Sequence, residues 1–150
     1  MIRVVVDANV FVSAIIKPDS VPGTIINLIG QGLVRVVISQ EIIAEIRQVL
    51  LYPKIKKLHR LTPKLIDQAL AEISEAAMVT PGAIQINGVK DDPKDNKYLE
   101  CAVEGQVDFI ISGDHHLIDL KEFEGIKIVE PATFLKLMAG QQGAGHARGE

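Results

Sequence analysis

The chain has no tryptophan, and aromatic residues make up only 4% of its 150 positions. That scarcity argues against a base-stacking platform for single-stranded nucleic acid, and it leaves the core to Ile, Val, Leu and Ala. Cys101 is the sole cysteine, so no intrachain disulfide is available and a reducing compartment is natural. No apolar run approaches the roughly 20 residues a membrane span needs. The opening MIRVVVDANV meets an acid at position 7, which excludes a signal-peptide apolar region there. A soluble, cytoplasmic protein with no membrane partner is the expectation. An excess of positive charge is also missing: 16 Lys and Arg face 19 Asp and Glu, for a net charge of −3. This is not the profile of a non-specific nucleic-acid binder, although local basic patches can still meet a phosphate backbone.

What is present is a well-stocked core. Hydrophobic residues reach 47% and mean hydropathy is +0.22, enough for one packed domain at this length. Ile2 to Val6 is a short β-branched run, apolar on both faces, as a central parallel strand covered by helices on each side would be. Leu33 to Ser39, Val107 to Ser112 and Ile126 to Val129 look alike. Helical patterns occupy 9–16, 22–31, 40–51, 63–77, 94–105 and 131–139, with Pro22, Pro63, Pro93 and Pro131 at or near helix starts. Strands alternating with helices predict an α/β fold, a three-layer α/β/α sandwich with a mainly parallel central sheet. Met78 to Val89 fits an extended edge piece with a turn at Asn87-Gly88. No internal repeat is visible. Residues 1–139 read as one domain, and 140–150, which lack apolar anchors, as a flexible tail.

Four acids stand where elements meet the carboxyl edge of that sheet, the edge at which open α/β sheets bind ligands: Asp7, Glu45, Asp95 and Asp114. Asp7 ends the first strand. Asp is a favoured helix cap, but Asn9 can cap the helix beginning near Val10, which leaves Asp7 needing another purpose. Glu45 falls on the flank of an apolar face formed by Ile42, Ile43, Ile46, Val49 and Leu50, whereas Glu41 is turned farther toward solvent. Asp95 follows Asp92 as expected N-cap and Pro93 as first helical residue, an arrangement that also suits a capping box. It nevertheless shares a stripe with Leu99 and Ala102 and so points along the buried side. A calcium loop counted from Asp91 fails, because Asn96 stands where that loop needs glycine. Asp114 follows a strand by one glycine, in a context that also suits an ordinary turn aspartate. Convergent carboxylates repel one another unless a cation lies between them. Hard oxygen donors suit Mg²⁺ or Mn²⁺, the ions used to cleave phosphodiesters.

The stretches VVVDANVFVSA, VISQEIIAEIRQVLLYPK, DDPKDNKYLECA and VDFIISGDHHLI together resemble the PIN domain family, in particular the VapC-type ribonuclease toxins. The resemblance runs over about residues 1–138 and preserves the order of all four acids. It implies that Asp7, Glu45, Asp95 and Asp114 form an acidic metal-binding quartet supported by Asn9 and Ser39. It further implies Mg²⁺ or Mn²⁺ dependence, endonucleolytic cleavage of RNA, homodimers and an inhibitory antitoxin partner. Two positions depart from the family pattern. Ala8 stands where many relatives have Thr or Ser, and His116 where many have a further Asp.

Lys54, Lys56, Lys57, His59 and Arg60 form the densest basic run, read either as an RNA contact or as a solvated loop, with the loop favoured. His115 and His116 either touch substrate or fill a polar turn, and Cys101 reads as a small core residue. Two other classes compete with a ribonuclease. One is a catalytically silent PIN-like module that binds RNA or protein. The other is a phosphatase or response-regulator domain with a nucleophilic aspartate. That second class needs an acid two residues after Asp7, where Asn9 stands, or adjacent acids before it, and has neither.

Overall fold

A computed structural model describes residues 1–86 and 95–147. Strands β1 (Arg3–Val6), β2 (Arg35–Ile38), β3 (Met78–Val79), β4 (Phe109–Ile111), β5 (Glu122–Phe123) and β6 (Ile126–Val129) form one sheet in the order β3-β2-β1-β4-β6-β5. All pairings are parallel except β5 with β6. Val4, Val5 and Val6 are each no more than 1% exposed. Consecutive strand residues face opposite sides, so a run this buried requires cover on both faces, as the sequence predicts.

The chain leaves β1, builds β2 and β3 on one side, then returns to place β4 on the other. This reversal opens a crevice beyond the carboxyl ends of β1 and β4. Backbone bonding carries the pairing to that edge, where the Asp7 N–H donates to the Ile111 carbonyl at 2.9 Å.

Helices α1 (Ala8–Ile16), α2 (Val21–Gly30), α3 (Gln40–Leu51), α4 (Pro53–His59), α5 (Pro63–Ala76), α6 (Asn96–Glu104), α7 (His115–Ile118) and α8 (Pro131–Ala147) fill the connections. α6 packs on β1, β2 and β4, and α1 packs against α2 and α3. Ile42, Ile46 and Leu50, spaced four apart on α3, are completely buried and anchor that helix to the core. Phe134 anchors α8 by an edge-on contact with Phe109, ring centroids 5.5 Å apart. Among the described residues no helix is long and apolar enough to cross a membrane.

Several local expectations change. The basic run is not a loop: α4 begins with Pro53 at its first position and ends at Arg60 in the left-handed conformation. The His59 ring ties its end down, 2.8 Å from the Leu50 carbonyl and accepting the Leu61 N–H at 2.8 Å. β5 is an additional edge strand too short to carry a two-residue period. α8 continues past position 139 to Ala147, since a helical ladder does not itself need an apolar stripe. The extended edge piece expected near Met78 is β3. The turn at Asn87-Gly88, Asp92 and Pro93 lie outside the described residues.

Candidate active site

Asp7 directly follows β1, at the sheet edge where the strand order reverses, and is 4% exposed. Its role as a cap is real: Oδ1 accepts the Asn9 N–H at 3.0 Å, and α1 starts at Ala8 rather than near Val10. Asn9 therefore does not replace it as the cap; it serves Asp7 through its backbone and is otherwise exposed. The second oxygen has a separate partner. Ser112, completely buried just past β4, donates its hydroxyl to Asp7 Oδ2 at 2.7 Å. The same Ser112 oxygen accepts the Asp114 N–H at 3.0 Å. One hydroxyl thus joins the acid after β1 to the acid after β4.

Burial pushes the Asp7 carboxyl above its ordinary value; the hydrogen bonds from Ser112 and Asn9 pull the other way, and the nearby charge of Glu45 adds to the rise. Asp7 and Glu45 therefore lie within each other's field. The bridge between their elements is Tyr98 on α6. Its buried hydroxyl accepts the Ala8 N–H at 3.1 Å and donates to Glu45 Oε1. Burial and the surrounding carboxylates drive the phenol far above its normal range, so it stays a protonated donor. The other oxygen of Glu45 meets the Lys97 ammonium at 3.2 Å.

Glu45 is half-buried on α3 and Glu41 is exposed, as the helical pattern predicts. Ser39 acts at a distance: buried at the start of α3, its hydroxyl accepts the Ile42 N–H at 3.3 Å and so fixes the helix that carries Glu45. Asp95 is buried as expected, but at the cap position of α6 rather than inside the helix, and it makes no side-chain capping bond. It enters this end of the molecule one turn before Tyr98.

Asp114 caps the short α7, accepting the His116 N–H at 2.8 Å. Among the described residues, Asp114, His115 and His116 are the set whose ligand atoms all lie within 4.8 Å of one another; Asp7, Glu45 and Asp95 belong to no set that tight. The imidazoles are in tilted contact, centroids 4.2 Å apart, with His115 exposed and His116 half-buried. Three of the four acids are thus linked by a network running from Asp114 through Ser112, Asp7 and Tyr98 to Glu45, rather than collapsed onto a point, while Asp95 stands at the start of the helix that carries Tyr98.

Lys97, Tyr98 and Ser112 carry that network and were not among the expected site residues. Tyr98 had a readable signal, since a tyrosine on a buried helical stripe must find a partner for its hydroxyl. Ser112, a polar residue closing an apolar strand, had a weaker one. The donor chemistry suits a hard divalent ion, and a cation, the Lys97 ammonium, already stands against Glu45. Cys101 is a core residue whose thiol burial pushes up to about 11, with the Thr80 hydroxyl 3.7 Å away.

A model of the PIN domain matches residues 3–116, a span that contains all four acids. The uncharacterized protein MJ1680 of Methanocaldococcus jannaschii is 34% identical over 121 residues, covering 81% of this chain and 76% of that protein. The crystal structure of PAE2754 from Pyrobaculum aerophilum superposes with a TM-score of 0.55, covering 93% of this chain and 90% of that one. At 16% identity that likeness concerns the fold. PIN domains are generally nucleases and typically use a divalent metal. With the family model matching residues 3–116, most of the chain, and a mainly parallel sheet of the kind described above, the chain belongs to the PIN domain family.

Proposed function

We propose that this protein is a divalent-metal-dependent endoribonuclease, the toxin of a type II toxin–antitoxin pair of VapC type. One observation carries the reading. A buried carboxylate at the sheet's switch point, Asp7, shares its field with Glu45 and is joined through Ser112 to Asp114. Asp7, Asp95 and Asp114 would hold Mg²⁺ or Mn²⁺, with Glu45 directly or through water. The ion, when bound, supplies an acidified water and offsets charge on the scissile phosphate.

The protein's own residues set the frame for that chemistry. Ser112 fixes the rotamer of Asp7, and Tyr98 fixes one oxygen of Glu45 while holding the first turn of α1. His115 and His116 border the site beside Asp114 and are offered to substrate. Lys54, Lys56, Lys57 and Arg60 on and just after α4 supply cations for the RNA backbone. Homodimerisation and an antitoxin partner belong to the same proposal. No serine or histidine nucleophile is required, so cleavage should leave a 5′-phosphate and a 3′-hydroxyl.

The test is RNA cleavage by purified protein with Mn²⁺, with EDTA, and with Asp7→Asn. Cleavage confined to the Mn²⁺ wild-type reaction supports the proposal. Cyclic phosphate ends would contradict the hydrolytic scheme, and RNA binding without cleavage would favour the silent module instead.

A further inference from the structure

Glu45 is gripped at both oxygens by consecutive residues of another helix. Tyr98 donates a neutral hydroxyl to Oε1, and Lys97 places its ammonium 3.2 Å from Oε2. This pair differs from an ordinary surface ion pair. The Lys97 side chain is 14% exposed and that of Glu45 30%, and the ammonium also lies 5.3 Å from the centre of the Tyr98 ring. For comparison, the Arg47–Asp67 pair is 46% and 56% exposed. Lys97 therefore sets its largely buried charge against a carboxylate that itself acts on buried Asp7.

We propose that Lys97 is the resident counter-ion of this site, holding Glu45 in the metal-free protein and competing with a divalent ion for it. This rests on the metal-ion reading given above. The two donors have unlike fates. A neutral hydroxyl on Oε1 is compatible with a dication on the same carboxylate, so Tyr98 stays. An ammonium on Oε2 is not, because like charges at contact distance repel strongly in a partly desolvated setting. Lys97 must swing away when the ion enters, which releases a primary amine at the rim of the crevice for a phosphate oxygen of the RNA. Lys97 is thus a positioning residue that sets metal affinity and couples metal entry to substrate binding.

The experiment is Mn²⁺ titration of the full-length protein by calorimetry or by the electron paramagnetic resonance of free Mn²⁺. Lys97→Met keeps the apolar stem and removes the charge; it should tighten Mn²⁺ binding by about tenfold, given the repulsion of unit charges a few ångströms apart. Lys97→Arg, which keeps the charge, should restore an affinity near that of wild type. In a Glu45→Gln background the gain from Lys97→Met should vanish, because Lys97 acts through that carboxylate. RNA binding in Ca²⁺, measured by anisotropy, should weaken in Lys97→Met while Mn²⁺ binding strengthens, a split that a structural lysine would not produce. Equal Mn²⁺ affinity in wild type and Lys97→Met, with both proteins binding, overturns the Lys97 proposal alone. Absence of Mn²⁺ binding in both overturns the metal-ion reading and this proposal together.

Discussion

Replacing Tyr98 with Phe removes one oxygen from the centre of the network and leaves the ring, so packing is conserved and only polar contacts are lost. Two consequences follow from the geometry. The Ala8 N–H, on a residue 1% exposed, loses the hydroxyl it donates to at 3.1 Å, and no water can readily reach it. Leaving a buried donor without a partner costs about 1–3 kcal/mol. Glu45 loses one donor but is only half-buried, so water recovers part of that bond. A net loss of about 2–3 kcal/mol corresponds to a fall in Tm of roughly 5–10 °C for a domain of this size. The assay is thermal and urea unfolding in EDTA of wild type, Tyr98→Phe, Glu45→Gln and the double variant. The cycle should return a coupling of about 0.5–3 kcal/mol between the two residues. A Tyr98→Phe Tm within a degree of wild type, with additive double-variant losses, would refute the claim that this hydroxyl ties α1 and α3 together.

Other outcomes follow from the same structure. Because burial raises the Asp7 carboxyl, the folded metal-free protein holds its proton more firmly than the unfolded chain does. Asp7's own contribution to metal-free stability is therefore fully present below the ordinary aspartate value and is lost as pH rises through the raised one. The stability of wild type relative to Asp7→Asn, read from urea midpoints in EDTA, should fall as pH rises across that range. Gly105→Ala should destabilise by about 1–3 kcal/mol, because an added Cβ would sit 2.4 Å from the buried Val37 Cγ1; denaturant unfolding reads this directly. Asp67→Asn breaks an ion pair between two well-exposed groups and should leave the denaturant midpoint almost unmoved.

How much of this was readable from the sequence depends on range. β1, β2 and β4 announce themselves because a strand buried on both faces must be largely apolar, β6 shows a short alternation around exposed Lys127, and α3 shows its four-residue spacing of Ile42, Ile46 and Leu50. The positions of Asp7 and Asp114 at the sheet edge follow from the strands they terminate. α4 was hidden by its lysines, whose solvated character outweighs a proline at a helix start. β5 spans two residues and carries no period at all. The network itself was not legible. Ser112 meets Asp7 across 105 residues, and Tyr98 meets Glu45 across 53, and no local pattern specifies such a pairing. Nor does periodicity reveal that Asp7 both caps α1 and accepts the Ser112 hydroxyl, since one oxygen does each.

Anomalous diffraction from Mn²⁺-soaked crystals tests the metal site most directly. A manganese peak about 2 Å from an Asp7 carboxylate oxygen, with Asp95 or Asp114 completing its shell, is the expected result. Manganese bound only elsewhere on the surface, with Asp7 left to Ser112 and Asn9 alone, would contradict it.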